Sequence, residues 1–86
     1  MTGGRPEKHS LTLQGHRTSV SLEPAFWRAF REIAAAEGMP INALAARIDA
    51  ERGMESGLAS AIRLHVLAWY RARVDAAAEA ESTSRL

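Results

Sequence analysis

The sequence has no cysteine, three prolines and few aromatic residues: two tryptophans, two phenylalanines and one tyrosine. Without cysteine no disulfide can brace the fold, and thiolate metal sites are excluded. His9, His16 and His65 are too scattered for a structural zinc cage, so neither a metal nor a cofactor is expected. No apolar run approaches the ~20 residues of a membrane helix. The segment Met1–Ser10 is polar and lacks the apolar stretch of a secretory signal, which together with the missing cysteine predicts a cytoplasmic chain. Catalysis is not expected either. No nucleophile, base and orienting group stand in a recognisable arrangement, and no glycine-rich phosphate loop follows a strand. Asp49, Glu51 and Glu55 read as a solvated face.

What is present is one small domain of 86 residues. A chain of this size buries only ~60% of the surface its unfolded form exposes. With neither disulfide nor metal to compensate, dimerisation is the remaining remedy. The net charge is +1, too small to draw a polyanion to the whole molecule. Its distribution says more. Arg5, Lys8 and Arg17 stand against only Glu7 in the first 22 residues, with His9 and His16 among them, whereas the remainder is close to balanced. Positive charge gathered on one segment is the footprint of nucleic-acid binding, and equally of an ordinary polar tail.

Residues 1–7, with Gly3, Gly4 and Pro6, are expected to form a flexible arm. Lys8–Leu22 is the only β-like stretch. Leu11 and Leu13 fall on odd positions, whereas Thr18, Val20 and Leu22 fall on even ones, so one straight strand would place the two sets on opposite faces. The parity changes across Gln14-Gly15. A two-residue turn there sets Leu13 opposite His16, Leu11 opposite Thr18 and His9 opposite Val20 on one face. Lys8, Ser10, Thr12, Arg17, Ser19 and Ser21 then form the other. A bulge at Gly15 would restore the phase as well.

Three helices follow. The first begins at Glu23-Pro24, buries Phe26, Phe30 and Ile33 with Ala29 and Ala34, and ends at Gly38. The second runs from about Pro40 to Arg52 with Ile41, Leu44, Ala45 and Ile48 inward, and Gly53 stops it. The third starts near Ser56, a good cap, and extends through Tyr70 or beyond, with Leu58, Ile62, His65, Val66 and Trp69 as its apolar stripe. Trp27 lies off the main stripe, and His65 reads as an interior histidine. The globular unit is thus expected over residues 8–74, with a frayed alanine- and acid-rich tail over 75–86. The fold class is α+β, mainly helical.

Arg17-Thr18-Ser19-Val20-Ser21-Leu22, Glu23-Pro24-Ala25-Phe26-Trp27 and Glu37-Gly38-Met39-Pro40-Ile41-Asn42-Ala43-Leu44 stand in the order strand, helix, glycine turn, helix. In this the chain resembles the ribbon-helix-helix (MetJ/Arc-like) family of bacterial repressors and antitoxins, and in particular a short subfamily with a third C-terminal helix. Arginine-dominated basic residues and abundant alanine agree with a bacterial source. The resemblance covers roughly Lys8 to Arg71. It implies a homodimer that lays a paired β-ribbon into the major groove of double-stranded DNA and regulates transcription. Arg17, Ser19 and Ser21 would then contact bases. Lys8 and Arg5, with free backbone N–H groups around Met39, Ile41 and Asn42, would contact phosphates. Val20, Leu22, Phe26, Phe30, Ile33, Leu44 and Ile48 would form a core shared by both subunits. Pro40 departs from the serine or threonine common before the second helix, and only one strong base-reading side chain is present per chain. The competing reading is a protein-binding adaptor or antitoxin-like dimer, in which the third helix and the tail hold a partner.

Overall fold

Gln14 and Gly15 set the first element pair. Both have positive φ, 52° and 83°, as a type I′ turn requires at its two central residues. The turn joins β1 (Glu7–Leu13) to β2 (His16–Leu22) in an antiparallel hairpin. Leu13 faces His16, Leu11 faces Thr18 and His9 faces Val20, which is the register of the two-residue turn and not that of a bulge. The computed structural model describes residues 4–53 and 57–84, the side chains of 81–84 excepted. Three helices complete the order: α1 (Pro24–Ala36), α2 (Ile41–Glu51) and α3 (Leu58–Ser84).

Local chemistry explains the helix boundaries. Pro24 opens α1 where a missing N–H leaves no carbonyl unserved. At the other end Gly38 takes φ +66°. Its N–H donates to the Ala35 carbonyl at 3.1 Å, and the Met39 N–H donates to the Ala34 carbonyl at 3.0 Å. This pair of bonds is a Schellman closure, which needs a left-handed residue where glycine stands. Ser56, the expected cap of the third helix, lies outside the described residues. The boundary at Asp75 between globular unit and tail falls inside α3, which is helical to Ser84.

The hairpin lies with its apolar face on the helices. α2 packs against β1, while α1 and α3 pack against β2. Leu11, Val20 and Leu22 meet Phe30, Ile33, Ala34, Leu44, Ala45, Ile48, Ile62 and Val66 in one buried cluster. Trp27, off the helix stripe, covers the hairpin flank by stacking on the His9 imidazole, with ring centroids 3.8 Å apart and planes 4° from parallel. Phe26 is half-buried rather than interior, and the Arg63 guanidinium sits 5.8 Å from its ring centre.

The core departs from the sequence expectation in one respect. That expectation places Val20, Leu22, Phe30, Ile33, Leu44 and Ile48 in a core completed by a second subunit. They are no more than 4% exposed within a single chain. Leu11 of β1 and Ile62 and Val66 of α3 supply the cover expected of a partner. Hydrophobic burial therefore does not itself demand a second copy.

Two stability measurements follow. Leu22→Ala, at a position 0% exposed, is expected to lower the free energy of urea unfolding by about 2–5 kcal/mol. Gln14→Asn, which fits the left-handed turn better, should raise it by up to about 1 kcal/mol. A destabilised Gln14→Asn variant would contradict the type I′ assignment.

Candidate nucleic-acid interface

The parity change that turns one hairpin face inward turns the other wholly outward. Lys8, Ser10, Thr12, Arg17, Ser19 and Ser21 are all exposed. Across the strands Lys8 pairs with Ser21, Ser10 with Ser19 and Thr12 with Arg17. This face carries two cations and no carboxylate, and neither Lys8 nor Arg17 has an ion-pair partner among the described residues. Hydroxyls and two unpaired cations form a surface of hydrogen-bond donors, well suited to phosphate oxygens and to the acceptors of guanine.

The backbone of the same residues forms the hairpin's two edges. The Thr12 N–H points away from β2 and donates to Asn42 Oδ1 at 3.1 Å, while the Ser21 carbonyl accepts from Arg63 Nη2 at 3.4 Å. In an antiparallel pair outward groups recur every second residue. The N–H and C=O groups of Arg17 and Ser19 therefore point along the free edge of β2. They have no partner among the described residues. The matching edge of β1 is tied to α2 through Asn42.

The N-terminus of α2 stands beside β1. Pro40 is its N-cap and supplies no side-chain hydrogen bond. The first helical bond runs from the Leu44 N–H to the Pro40 carbonyl at 3.1 Å, so the N–H groups of Ile41, Asn42 and Ala43 are the unserved donors of the first turn. Met39 does not belong with them. Its N–H closes α1, and the expectation of a free donor there is corrected on that ground. Asn42 keeps its backbone N–H, but its side-chain oxygen is engaged by Thr12. Arg5 is exposed on the bend before β1.

Two anchoring contacts are not legible in the sequence. Asn42 holds the helix end against the ribbon, 30 residues away in the chain. Its one local signal is a side chain that prefers helix termini to helix interiors. Arg63 of α3 grips Glu23 through two bonds, Nε to Oε1 at 2.9 Å and Nη2 to Oε2 at 3.2 Å, and so holds the junction between β2 and α1. Hydrogen bonding from Arg63 keeps the Glu23 carboxyl below its ordinary value of 4.5. The Glu37 carboxyl is lowered too, by the Trp69 indole N–H at 2.9 Å and by Arg47 at 3.0 Å. Among the described residues His9 Nε2 and His65 Nε2 are buried without a hydrogen-bond partner.

A family model described as a ribbon-helix-helix domain matches residues 6–70, which takes in the hairpin, α1, α2 and the packed part of α3. No curated protein and no solved structure matches the chain.

The lowered Glu23 value sets a pH dependence. A carboxylate whose folded value is depressed contributes stability above its unfolded value, and that contribution is lost as pH falls through the folded one. The urea midpoint is expected to hold above pH 4.5 and to fall progressively below it. Glu23→Gln should flatten part of that fall, leaving the part due to Glu37. An unchanged pH profile in the variant would rule out the Arg63 grip as its source.

Proposed function

Because the chain belongs to the ribbon-helix-helix family, we propose that it is a DNA-binding transcription regulator that acts as a homodimer and reads the major groove with the outer face of its hairpin. The observation that carries this reading is the sorting of the hairpin into a buried apolar face and a fully exposed polar one, with Lys8 and Arg17 on the latter and without ion-pair partners among the described residues. Two copies join along the free edges of β2, where the Arg17 and Ser19 backbone groups are mutually complementary across a two-fold axis.

Width then divides the labour. Four strands in the order β1, β2, β2, β1 span about 14 Å at the usual strand spacing, against a groove about 12 Å wide. The central strands enter, and the outer ones meet the groove walls. Arg17, Ser19 and Ser21 of β2 reach base edges, with Arg17 placed to hold guanine O6 and N7 by two bonds. Lys8 of β1, Arg5 before it, and the N–H groups of Ile41 and Asn42 contact phosphates. Asn42 serves both parts, since its side chain sets the phosphate-facing helix end against the ribbon edge. A regulator of this kind performs no chemistry and works on DNA in the bacterial cytoplasm.

Selection from random duplex DNA at near-physiological salt is expected to enrich a two-fold symmetric motif. Arg17→Ala should weaken binding to that motif by about 1–3 kcal/mol for each arginine removed, with the assembly state unchanged. Lys8→Ala should weaken all sequences alike and make the dependence on salt shallower by about 1 for each phosphate that it no longer neutralises. If Arg17→Ala binds the motif as tightly as the parent, the ribbon face is not the reading element.

A further inference from the structure

Three residues of β2 limit how two copies can meet. Arg17, Ser19 and Ser21 turn their backbone groups to the free edge of the strand. The Ser21 carbonyl takes its 3.4 Å bond from Arg63 and keeps a second lone pair. Outward residues pair only with outward residues, so two such edges have few antiparallel registers. A two-fold axis at Arg17 or at Ser21 pairs that residue alone with its twin. Axes at Thr18 or Val20 pair two of the three residues. An axis at Ser19 pairs all three, Ser19 with its twin and Arg17 with Ser21, and it keeps the two arginines apart.

That register brings unlike ends of the strand together. At the Ser21 end stands Phe26, an aromatic residue that its own chain leaves half-buried. Arg63 ties it to the strand edge, with the guanidinium bonded to the Ser21 carbonyl and 5.8 Å from the ring centre. At the other end His16 and Thr18 line a cavity of about 290 Å³ beneath the hairpin tip, with Leu13 of β1, Ala46 of α2 and Leu58 of α3. A cavity of about 150 Å³ is enough for a benzene ring. The two charges on its wall, Asp49 and Arg52, pair with each other at 2.6 Å, so an apolar ring can enter without stranding either. With Ser19 on the axis, His16 lies opposite Leu22 of the second copy and Thr18 opposite its Val20. The corner between β2 and α1 of the second copy, which carries Phe26, then stands beside the cavity.

We propose that Phe26 of each copy seats in the cavity beneath the hairpin tip of the other. The proposal rests on the joining of β2 edges described above and names the side-chain anchor which that joining brings with it. The exchange is reciprocal, as a two-fold axis requires. Leu13 and Leu58 belong to the first strand and the third helix, so elements outside the central strand, helix, turn and helix serve the pairing as well.

The test uses the full chain without DNA, by sedimentation equilibrium, with circular dichroism and urea unfolding to check each variant's fold. Phe26→Ala is expected to raise the dimer dissociation constant at least about tenfold, the effect of removing an anchor from a desolvated pocket. Ala46→Phe, at a half-buried lining position, fills the cavity from within and should do the same. The two effects are expected to be coupled. In a chain that already lacks Phe26, Ala46→Phe should weaken association little further, which a general loss of stability would not produce. The register is read separately, since the chain has no cysteine of its own. Residues directly opposed in a hydrogen-bonded pair stand about 5.5 Å apart, within the reach of a disulfide. Ser19→Cys should therefore oxidise to a linked dimer. Arg17→Cys should not, because four residues of strand, about 14 Å, separate it from its twin. Undiminished association of Phe26→Ala, additive effects of the two substitutions, failure of Ser19→Cys to link, or a monomeric parent would each overturn the proposal. If Ser19→Cys links while Phe26→Ala associates like the parent, the β2 pairing stands and the seat alone fails. If link and coupling both appear but duplex DNA is not bound, the seat stands and the DNA-binding reading fails.

Discussion

The hairpin can exist only while its apolar face is covered. Two strands alone are marginal in water, and β1 and β2 have no third strand among the described residues. What holds them is the set Leu11, Val20 and Leu22 pressed on Phe30, Ile33, Leu44 and Ile62. That placement depends in turn on the two-residue turn. One residue more or fewer at Gln14-Gly15 would send Leu11 and Val20 to opposite sides. The same turn therefore makes the core and clears the outer face for Lys8, Arg17 and the hydroxyls. The buried apolar face and the exposed polar one are two results of one parity choice.

Much of this is legible in the residues. The odd-to-even switch of Leu11 and Leu13 against Val20 and Leu22 carries the register, and the pairing of Leu13 with His16 across the two-residue turn removes the bulge. Pro24 and Gly38 carry the limits of α1. Which face of each helix is buried follows from period, as Ile33, Leu44, Ile48, Ile62 and Val66 attest. What period does not carry is the origin of the cover. Val20 and Leu22 demand burial, but nothing in their spacing says whether Ile62 of the same chain or a residue of another will provide it. Polar contacts over long separations escape for a related reason. The Asn42 bond to Thr12 and the Arg63 grip on Glu23 depend on where elements meet in space, and composition does not encode that. The role of the Met39 N–H escapes because a C-terminal closure of α1 and an N-terminal donor of α2 compete for one amide only two residues before the helix begins.

A core closed within one chain changes what association is for. In a fold whose interior is shared, folding and dimerisation are one event, and stability follows protomer concentration. Here Leu22, Phe30, Ile33, Leu44 and Ile62 are fully covered without a partner. On the proposed reading, contacts between copies fall to backbone groups on the β2 edge, which does not build the interior. Such contacts can break without unfolding the chain, so assembly can respond to concentration and to DNA while the fold stays intact.

That separation bears on recognition, because a single ribbon is thinly equipped. On the proposed DNA-binding reading, one arginine per chain offers about 1–3 kcal/mol of base discrimination, so a dimer commands about 2–6 kcal/mol, at or below the lower part of the roughly 4–10 kcal/mol that separates specific from non-specific binding in DNA-reading proteins. Hydroxyls of Ser19 and Ser21 discriminate less sharply, since each can donate or accept. Further selectivity has to come from the number of ribbons engaged at once. Joining dimers makes the second binding event intramolecular and raises affinity for paired sites without any new base contact.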